Sequence, residues 1–145
     1  MGRSVALALL LVACGDKQAA PPATPIADNA PGEPDAAPFR VDVTPPAACA
    51  HGTTCEATLA LVALQGFKVN AEYPFKFVGD VGPQISFDGT GTFTHGDKHS
   101  GKLTIKFRSE QAGTIKVSGT FKLSVCTDEV CKIEQPKITF DVPVS

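Results

Sequence analysis

The chain has 145 residues, of which 13 are basic and 15 acidic, giving a formal net charge of −2 at pH 7. This balance argues against a nucleic-acid-binding protein, since such a surface carries a clear excess of Lys and Arg. With no Trp and a single Tyr, any core must be built mainly from Phe, Leu, Ile and Val.

The N-terminus has the pattern of an export signal that ends at a cysteine. Arg3 precedes an apolar run over residues 5–12, which is far shorter than the roughly 20 residues of a membrane-spanning helix. The sequence from Leu11 to Cys14 resembles the lipobox of bacterial lipoproteins. We therefore predict a lipoprotein signal peptide over residues 1–13 and a lipid on Cys14. An ordinary signal peptide with a chance cysteine is the alternative.

The lipid on Cys14 would anchor the protein to the inner or outer membrane, facing the periplasm. Residues 14–38 are rich in Ala and Pro and poor in large apolar side chains, so they are predicted to form a flexible linker. Residues 39–145 suffice for one domain with a modest core.

The apolar residues of this domain recur with a period of two, which predicts strands with one buried face. Residues 56–64 fit both a capped helix and a strand, and the β pattern downstream favours the strand. Residues 102–108 and 114–125 alternate regularly, except at Gly119, where a bulge or a close backbone approach is expected. Pro143 suggests that the last strand lies at a sheet edge. Short strands separated by turn signals predict an all-β fold, an antiparallel β-sandwich.

Four cysteines besides Cys14 predict two disulfides in an oxidising compartment. The close pairs Cys49–Cys55 and Cys126–Cys131 are the expected connectivity, and Cys49–Cys55 is expected to be structural. A hairpin between Cys126 and Cys131 would hold them at a distance that a disulfide bridges. Cys126 has the polar parity of its strand, which predicts a bond accessible to a partner thiolate.

Spacing leaves both a structural and a redox role open for Cys126–Cys131. The chain entropy of so short a loop stabilises the fold by only about 2 kcal/mol, which makes the bond a weak staple. Against a redox role, Asp128 and Glu129 between the cysteines would raise the thiol pKa and oppose thiolate formation.

The C-terminal part of the chain resembles the N-terminal periplasmic domain of the DsbD family of thiol:disulfide interchange proteins. The likeness lies in Gly113 to Cys131, in the closing strand to Val144, and in Gly66 to Pro74, which is similar to a strand followed by Asn-x-x-Tyr-Pro. It implies an immunoglobulin-like sandwich whose redox pair, Cys126 and Cys131, exchanges electrons with thioredoxin-like and other periplasmic disulfide proteins.

The chain also departs from this family. The family's membrane-spanning and thioredoxin-like domains are not found in it, which suggests a stand-alone lipoprotein. The family covers its redox cysteines with an aromatic loop, whereas the corresponding passage here, His95 to Gly101, has no aromatic besides its histidines. Cys49–Cys55 is not part of the family pattern.

Two other functions remain as alternatives. One is a non-catalytic, immunoglobulin-like envelope module that binds another protein and whose disulfides are purely structural. The other is a metal-binding lipoprotein, because Cys49, His51 and Cys55, or His95 and His99, are ligand types for zinc or copper. Their spacings match no standard metal motif, and the sequence predicts neither a metal nor another cofactor.

Overall fold

The computed structural model describes residues 37–145, so the predicted signal peptide, Cys14 and almost all of the predicted linker lie outside the described residues. The described part is all-β, and its strands pair antiparallel. They are β1 (Phe39–Thr44), β2 (Thr54–Ala63), β3 (Lys68–Val69), β4 (Lys76–Gly79), β5 (Ile85–Phe87), β6 (Thr92–His95), β7 (Ser100–Ser109), β8 (Gly113–Cys126), β9 (Cys131–Glu134) and β10 (Lys137–Val144). Between residues 37 and 145 there is no helix with the length and apolar character needed to cross a membrane.

The strands form two five-stranded sheets. The first has the order β1-β2-β7-β5, with β6 also paired to β7. The second is organised around the 14-residue strand β8, to which β3, β4, β9 and β10 all pair. Long central strands of this kind follow from sustained alternation of apolar and polar residues, which in β8 is broken only at Gly119.

In the second sheet, β9 and β10 lie along one side of β8. The strands β3 and β4 lie along its other side. Gly119 pairs with both β10 and β4, and Cys126 pairs with both β9 and β3. β9 and β10 keep one common register against β8 and are linked by the bond from Phe121 N–H to the carbonyl of Pro136 (3.0 Å). β9 and β10 therefore form one outer edge of this sheet.

The inner faces of the two sheets share one hydrophobic cluster, which gives a β-sandwich-like fold. Its largest fully buried side chains come from alternate positions of β2, β4, β7, β8 and β10, as the period-two pattern predicts. They are Leu59, Leu61, Phe77, Leu103, Ile105, Phe107, Val117, Phe121, Leu123, Val125 and Val142.

Three local predictions are confirmed. The ambiguous segment 56–64 lies in a strand, because β2 is the partner of both β1 and β7 and buries alternate residues in the core. Gly119 marks a close approach, since a Cβ there would overlap the ring of Phe77 and the backbone oxygen of Val78. Pro143 lies in β10, which pairs only with β8 among the described strands.

Candidate functional site

Cys126 and Cys131 form a disulfide at the end of the β8–β9 hairpin. The two residues are direct register partners, with Cα atoms 4.0 Å apart. The turn between them is closed by Thr127, whose N–H donates to the carbonyl of Val130 (2.8 Å) and whose Oγ1 accepts from the N–H of Val130 (3.1 Å) and of Glu129 (3.2 Å). The hairpin and the pairing predicted from the spacing are confirmed.

The two cysteines differ in exposure. Cys126 is half-buried because its backbone lies between β9 and β3, whereas Cys131 begins the edge strand and is exposed. Thiol–disulfide exchange requires an incoming thiolate to reach one of the two sulfurs. Cys131 is therefore the more accessible point of attack, and Cys126 is the sulfur that would leave.

The disulfide lies on the outer face of the second sheet, opposite the core. Val125 is fully buried, so its neighbour Cys126 points to the other side, as the parity predicted. The same outer face holds Ser124, which is buried because the segment after β3 covers it. Asn70 donates its side-chain N–H to Ser124 Oγ (3.2 Å) and its backbone N–H to the Ser124 carbonyl (3.1 Å). These two bonds attach the segment after β3 to β8 beside the disulfide.

Two lysines, Lys68 and Lys98, lie near Asp128 in the turn between Cys126 and Cys131. Lys68, the β3 partner of Cys126, donates from Nζ to Asp128 Oδ1 at 2.6 Å. This hydrogen bond, the charge of Lys68 and the charge of Lys98 lower the pKa of the Asp128 carboxyl below its ordinary value. The negative charge of Asp128 is therefore paired, and it opposes thiolate formation less than the sequence suggested.

The passage His95 to Gly101 forms the turn between β6 and β7 and contacts β3. The carbonyl of Lys98 accepts an N–H of β3 (2.8 Å), and His99 Nδ1 lies 2.9 Å from the carbonyl of Phe67. This passage thus supports the strand beside Cys126. His95 packs edge-on against the ring of Phe93, with centroids 4.9 Å apart.

Asp97 shapes this turn. Its Oδ1 accepts hydrogen bonds from the Ser100 hydroxyl (2.9 Å) and from the backbone N–H of His99 (2.8 Å). These bonds favour the charged carboxylate and lower the pKa of Asp97. A side chain that bonds to nearby backbone in this way stabilises the local turn, so the pKa shift has a structural cause.

Cys49 and Cys55 form the second disulfide, with Cα atoms 5.6 Å apart, and both are almost completely buried. The segment containing them is bonded to the C-terminus. Ser145 N–H donates to the Cys49 carbonyl (2.9 Å), and His51 N–H donates to the Ser145 carbonyl (2.9 Å). This environment fits the structural role predicted for the pair.

The metal site considered at Cys49, His51 and Cys55 does not form among the described residues. Cys49 and Cys55 are bonded to each other, and Nδ1 of His51 lies 3.3 Å from the carbonyl of Ser145. Among residues 37–145, no group of three or more His, Cys, Asp or Glu side chains is placed to hold an ion.

Three further residues lie near the disulfide and were not predicted from the sequence: Lys68, Val130 and Ile133. Val130 and Ile133 are exposed hydrophobic residues next to Cys131. The signal for Ile133 was present in the sequence, as a lone large apolar residue between Lys132 and Glu134. The pairing of Lys68 with Asp128 joins residues 60 positions apart and had no local signal.

Comparison of the chain with protein-family models, with curated proteins and with solved structures found no match in any of the three.

Proposed function

We propose that the protein is a lipid-anchored periplasmic lipoprotein that exchanges electrons with thioredoxin-like partners through Cys126 and Cys131. In this proposal its domain is an immunoglobulin-like sandwich of the DsbD N-terminal type. The observation that carries it is the position of the disulfide on an outer face, at a sheet edge, with Cys131 exposed. A disulfide between residues only five positions apart adds little to the stability of the fold. A purely structural role therefore leaves the accessibility of this bond unexplained.

The proposed exchange proceeds in two steps. A thiolate of a reduced dithiol partner attacks Cys131 Sγ, which breaks the Cys126–Cys131 bond and forms a mixed disulfide between the partner and Cys131. Cys126 leaves as a thiolate and takes up a proton. The second thiolate of the partner then attacks the partner's own sulfur in the mixed disulfide, which forms the partner's disulfide and breaks its bond to Cys131. Cys131 leaves as a thiolate and takes up a proton, so the partner is oxidised and the protein holds two thiols. Two electrons have moved to the protein, and the reverse sequence passes them to an oxidised disulfide protein.

One feature near Cys126 supports its role as the leaving sulfur. Cys126 is the register partner of Lys68 in β3 as well as of Cys131 in β9, so its backbone keeps its place in the sheet after the Cys126–Cys131 bond opens.

Reduced thioredoxin is the probe for this proposal. We expect it to reduce the Cys126–Cys131 bond and leave the buried Cys49–Cys55 bond oxidised, as measured by mass spectrometry after alkylation of free thiols. The reduction potential of the Cys126–Cys131 pair should lie above about −300 mV. Structural disulfides typically have potentials below that value. A bond that thioredoxin leaves oxidised, with a potential well below that value, would overturn the proposal and favour the envelope binding module.

Single-cysteine variants identify the exchanging sulfur. Each is mixed with a thioredoxin variant that keeps only its attacking cysteine, activated as a thionitrobenzoate disulfide. Cys126→Ser, which leaves Cys131 free, should release thionitrobenzoate about tenfold faster than Cys131→Ser, because exchange rates depend on access to the sulfur. Equal rates would contradict the assignment of Cys131 as the exchanging residue.

The lipid anchor is tested at Cys14, outside the described residues. Cys14→Ala should abolish acylation and leave the unprocessed precursor, because a lipoprotein signal is cleaved only after its cysteine is modified. Metabolic labelling with a fatty-acid analogue and the molecular mass of the product measure both effects. Normal processing of the variant would show an ordinary signal peptide instead.

A further inference from the structure

The outer edge of β9 carries backbone groups of Cys131 and Ile133 that have no backbone partner among residues 37–145. In an antiparallel ladder, opposed residues alternate between hydrogen-bonded and non-hydrogen-bonded pairs. The bonds Thr127 N–H to Val130 and Phe121 N–H to Pro136 identify the bonded positions. It follows that Cys126–Cys131 and Ser124–Ile133 are non-bonded pairs, which agrees with the short Cα distance of 4.0 Å between the two cysteines.

The N–H and C=O of Cys131 and Ile133 consequently point away from β8. Among the described strands, β9 pairs only with β8, so these groups face outward without a backbone partner there. The same alternation places the nitrogen of Pro143 on the outer side of β10, where a missing N–H costs nothing. The position of Pro143 therefore agrees with the alternation of bonded and non-bonded pairs given above.

This edge carries two exposed apolar side chains close to the disulfide. Four large hydrophobic residues are exposed in residues 37–145, and two of them, Val130 (51%) and Ile133 (61%), flank Cys131. Lys132, the residue between Cys131 and Ile133, has its Nζ 5.4 Å from the ring centroid of Phe67, on the core side of the strand. Its charge is thus directed away from the outer face that holds the disulfide and Ile133.

We propose that an extended segment of the thiol–disulfide partner pairs with β9 as an additional strand and packs an apolar side chain on Ile133. This inference rests on the proposed function and names the contact by which the partner is recognised. Any thiolate that attacks Cys131 must approach the residue at which this edge begins. Strand addition supplies backbone hydrogen bonds with little sequence specificity, which suits a protein that serves more than one partner.

The outer edges formed by β1 and β10 are less suited to this role. β1 presents Arg40 and Asp42, which form an exposed ion pair, and β10 contains Pro143 and the exposed charge of Asp141. Charged residues and proline are the usual protection of edges against strand pairing. β9 has only four residues, so it can accept one short segment but offers no long template for aggregation.

The variant Ile133→Pro tests this pairing, because it removes an outward N–H that the fold does not use. We expect reduction by thioredoxin to slow by at least about tenfold, because the variant removes one backbone hydrogen bond and also the apolar side chain on which the partner packs. Reduction by dithiothreitol, which needs no strand pairing, should change by less than about twofold. Asp141→Pro is the matched control, since it removes an outward N–H from β10, far from the disulfide along the same edge, and should leave both rates unchanged.

The outcomes separate this inference from the function on which it rests. If thioredoxin reduces the Ile133→Pro variant as fast as the unaltered protein, or if both reductants slow equally, strand pairing is overturned while the exchange function stands. If the unaltered protein is reduced by dithiothreitol but not by thioredoxin, the exchange function itself is overturned.

A second measurement leaves Ile133 unaltered and covers the case in which its proline variant does not fold. In the mixed disulfide between Cys126→Ser and thioredoxin, amide hydrogen exchange at Cys131 and Ile133 should slow by at least about tenfold, because paired N–H groups exchange slowly. The amide of Asp141 should exchange at its original rate. Unchanged exchange at Cys131 and Ile133 in the complex would overturn the pairing.

Discussion

Removal of the Cys49–Cys55 bond, as the double Ala variant, should lower the free energy of unfolding by about 3–5 kcal/mol. Removal of the Cys126–Cys131 bond should lower it by only about 2 kcal/mol. The two loops have nearly equal length, with sequence separations of 6 and 5, so chain entropy alone predicts similar losses.

The difference arises from what surrounds the sulfurs. Cys49 and Cys55 are each 4% exposed and belong to the hydrophobic cluster, so truncating them leaves a cavity as well as a looser chain. The Cys49 carbonyl also accepts the N–H of Ser145, which ties the C-terminus to this segment. Cys131 is exposed and Cys126 half-buried, and their removal creates little cavity.

Urea unfolding of the two double variants under non-reducing conditions measures these losses. Because each variant keeps the other disulfide, each serves as the control of its partner. Equal losses would contradict the view that one bond is structural and the other dispensable to the fold. A small loss at Cys126–Cys131 is also required by the proposed function, since a protein that cycles between oxidised and reduced forms must stay folded in both.

The second large effect is expected at Gly119. Gly119→Ala should destabilise the fold by about 1–3 kcal/mol, the usual cost of forcing an extra group into a packed core. The added Cβ would overlap the ring of Phe77 and the backbone oxygen of Val78, and the backbone atom cannot move without displacing β4. A destabilising effect would be informative, because Gly→Ala within a strand normally stabilises the folded protein slightly by restricting the unfolded chain.

Gly82→Ala is the matched control, since a Cβ there meets no atom within 4 Å. It should change stability by no more than about 0.5 kcal/mol, as for most surface substitutions. In a double variant with Phe77→Leu, which removes the overlapping ring, Gly119→Ala should cost measurably less than it does alone, a coupling of about 0.5–3 kcal/mol. Additive losses in this cycle would show that the ring of Phe77 does not oppose a side chain at position 119.

Much of the fold is readable in the local pattern of the chain. Strands β7, β8 and β10 follow from alternation, because a strand with one buried face needs an apolar side chain at every second residue. The Cys126–Cys131 hairpin is readable for a similar reason, as its turn and both of its strands are neighbours in sequence.

The interpretation of residues 56–64 shows where local pattern is insufficient. A capping pattern and an alternating pattern are both present there, and each is locally consistent. The choice depends on β1 and β7, whose backbones bond to both sides of β2 and compete with any helix. Partners that come from distant parts of the chain leave no trace in the segment itself.

The sequence by itself predicted the β character of the domain, the two disulfide pairs and the outward direction of Cys126, since each depends on residues close together in the chain. Only the tertiary structure decided that Lys68 pairs with Asp128, that Phe77 packs on Gly119, and that β9 forms an outer edge which no other described strand covers. These contacts depend on which strands lie side by side. That order is set by how two sheets bury a common core, which no single segment encodes.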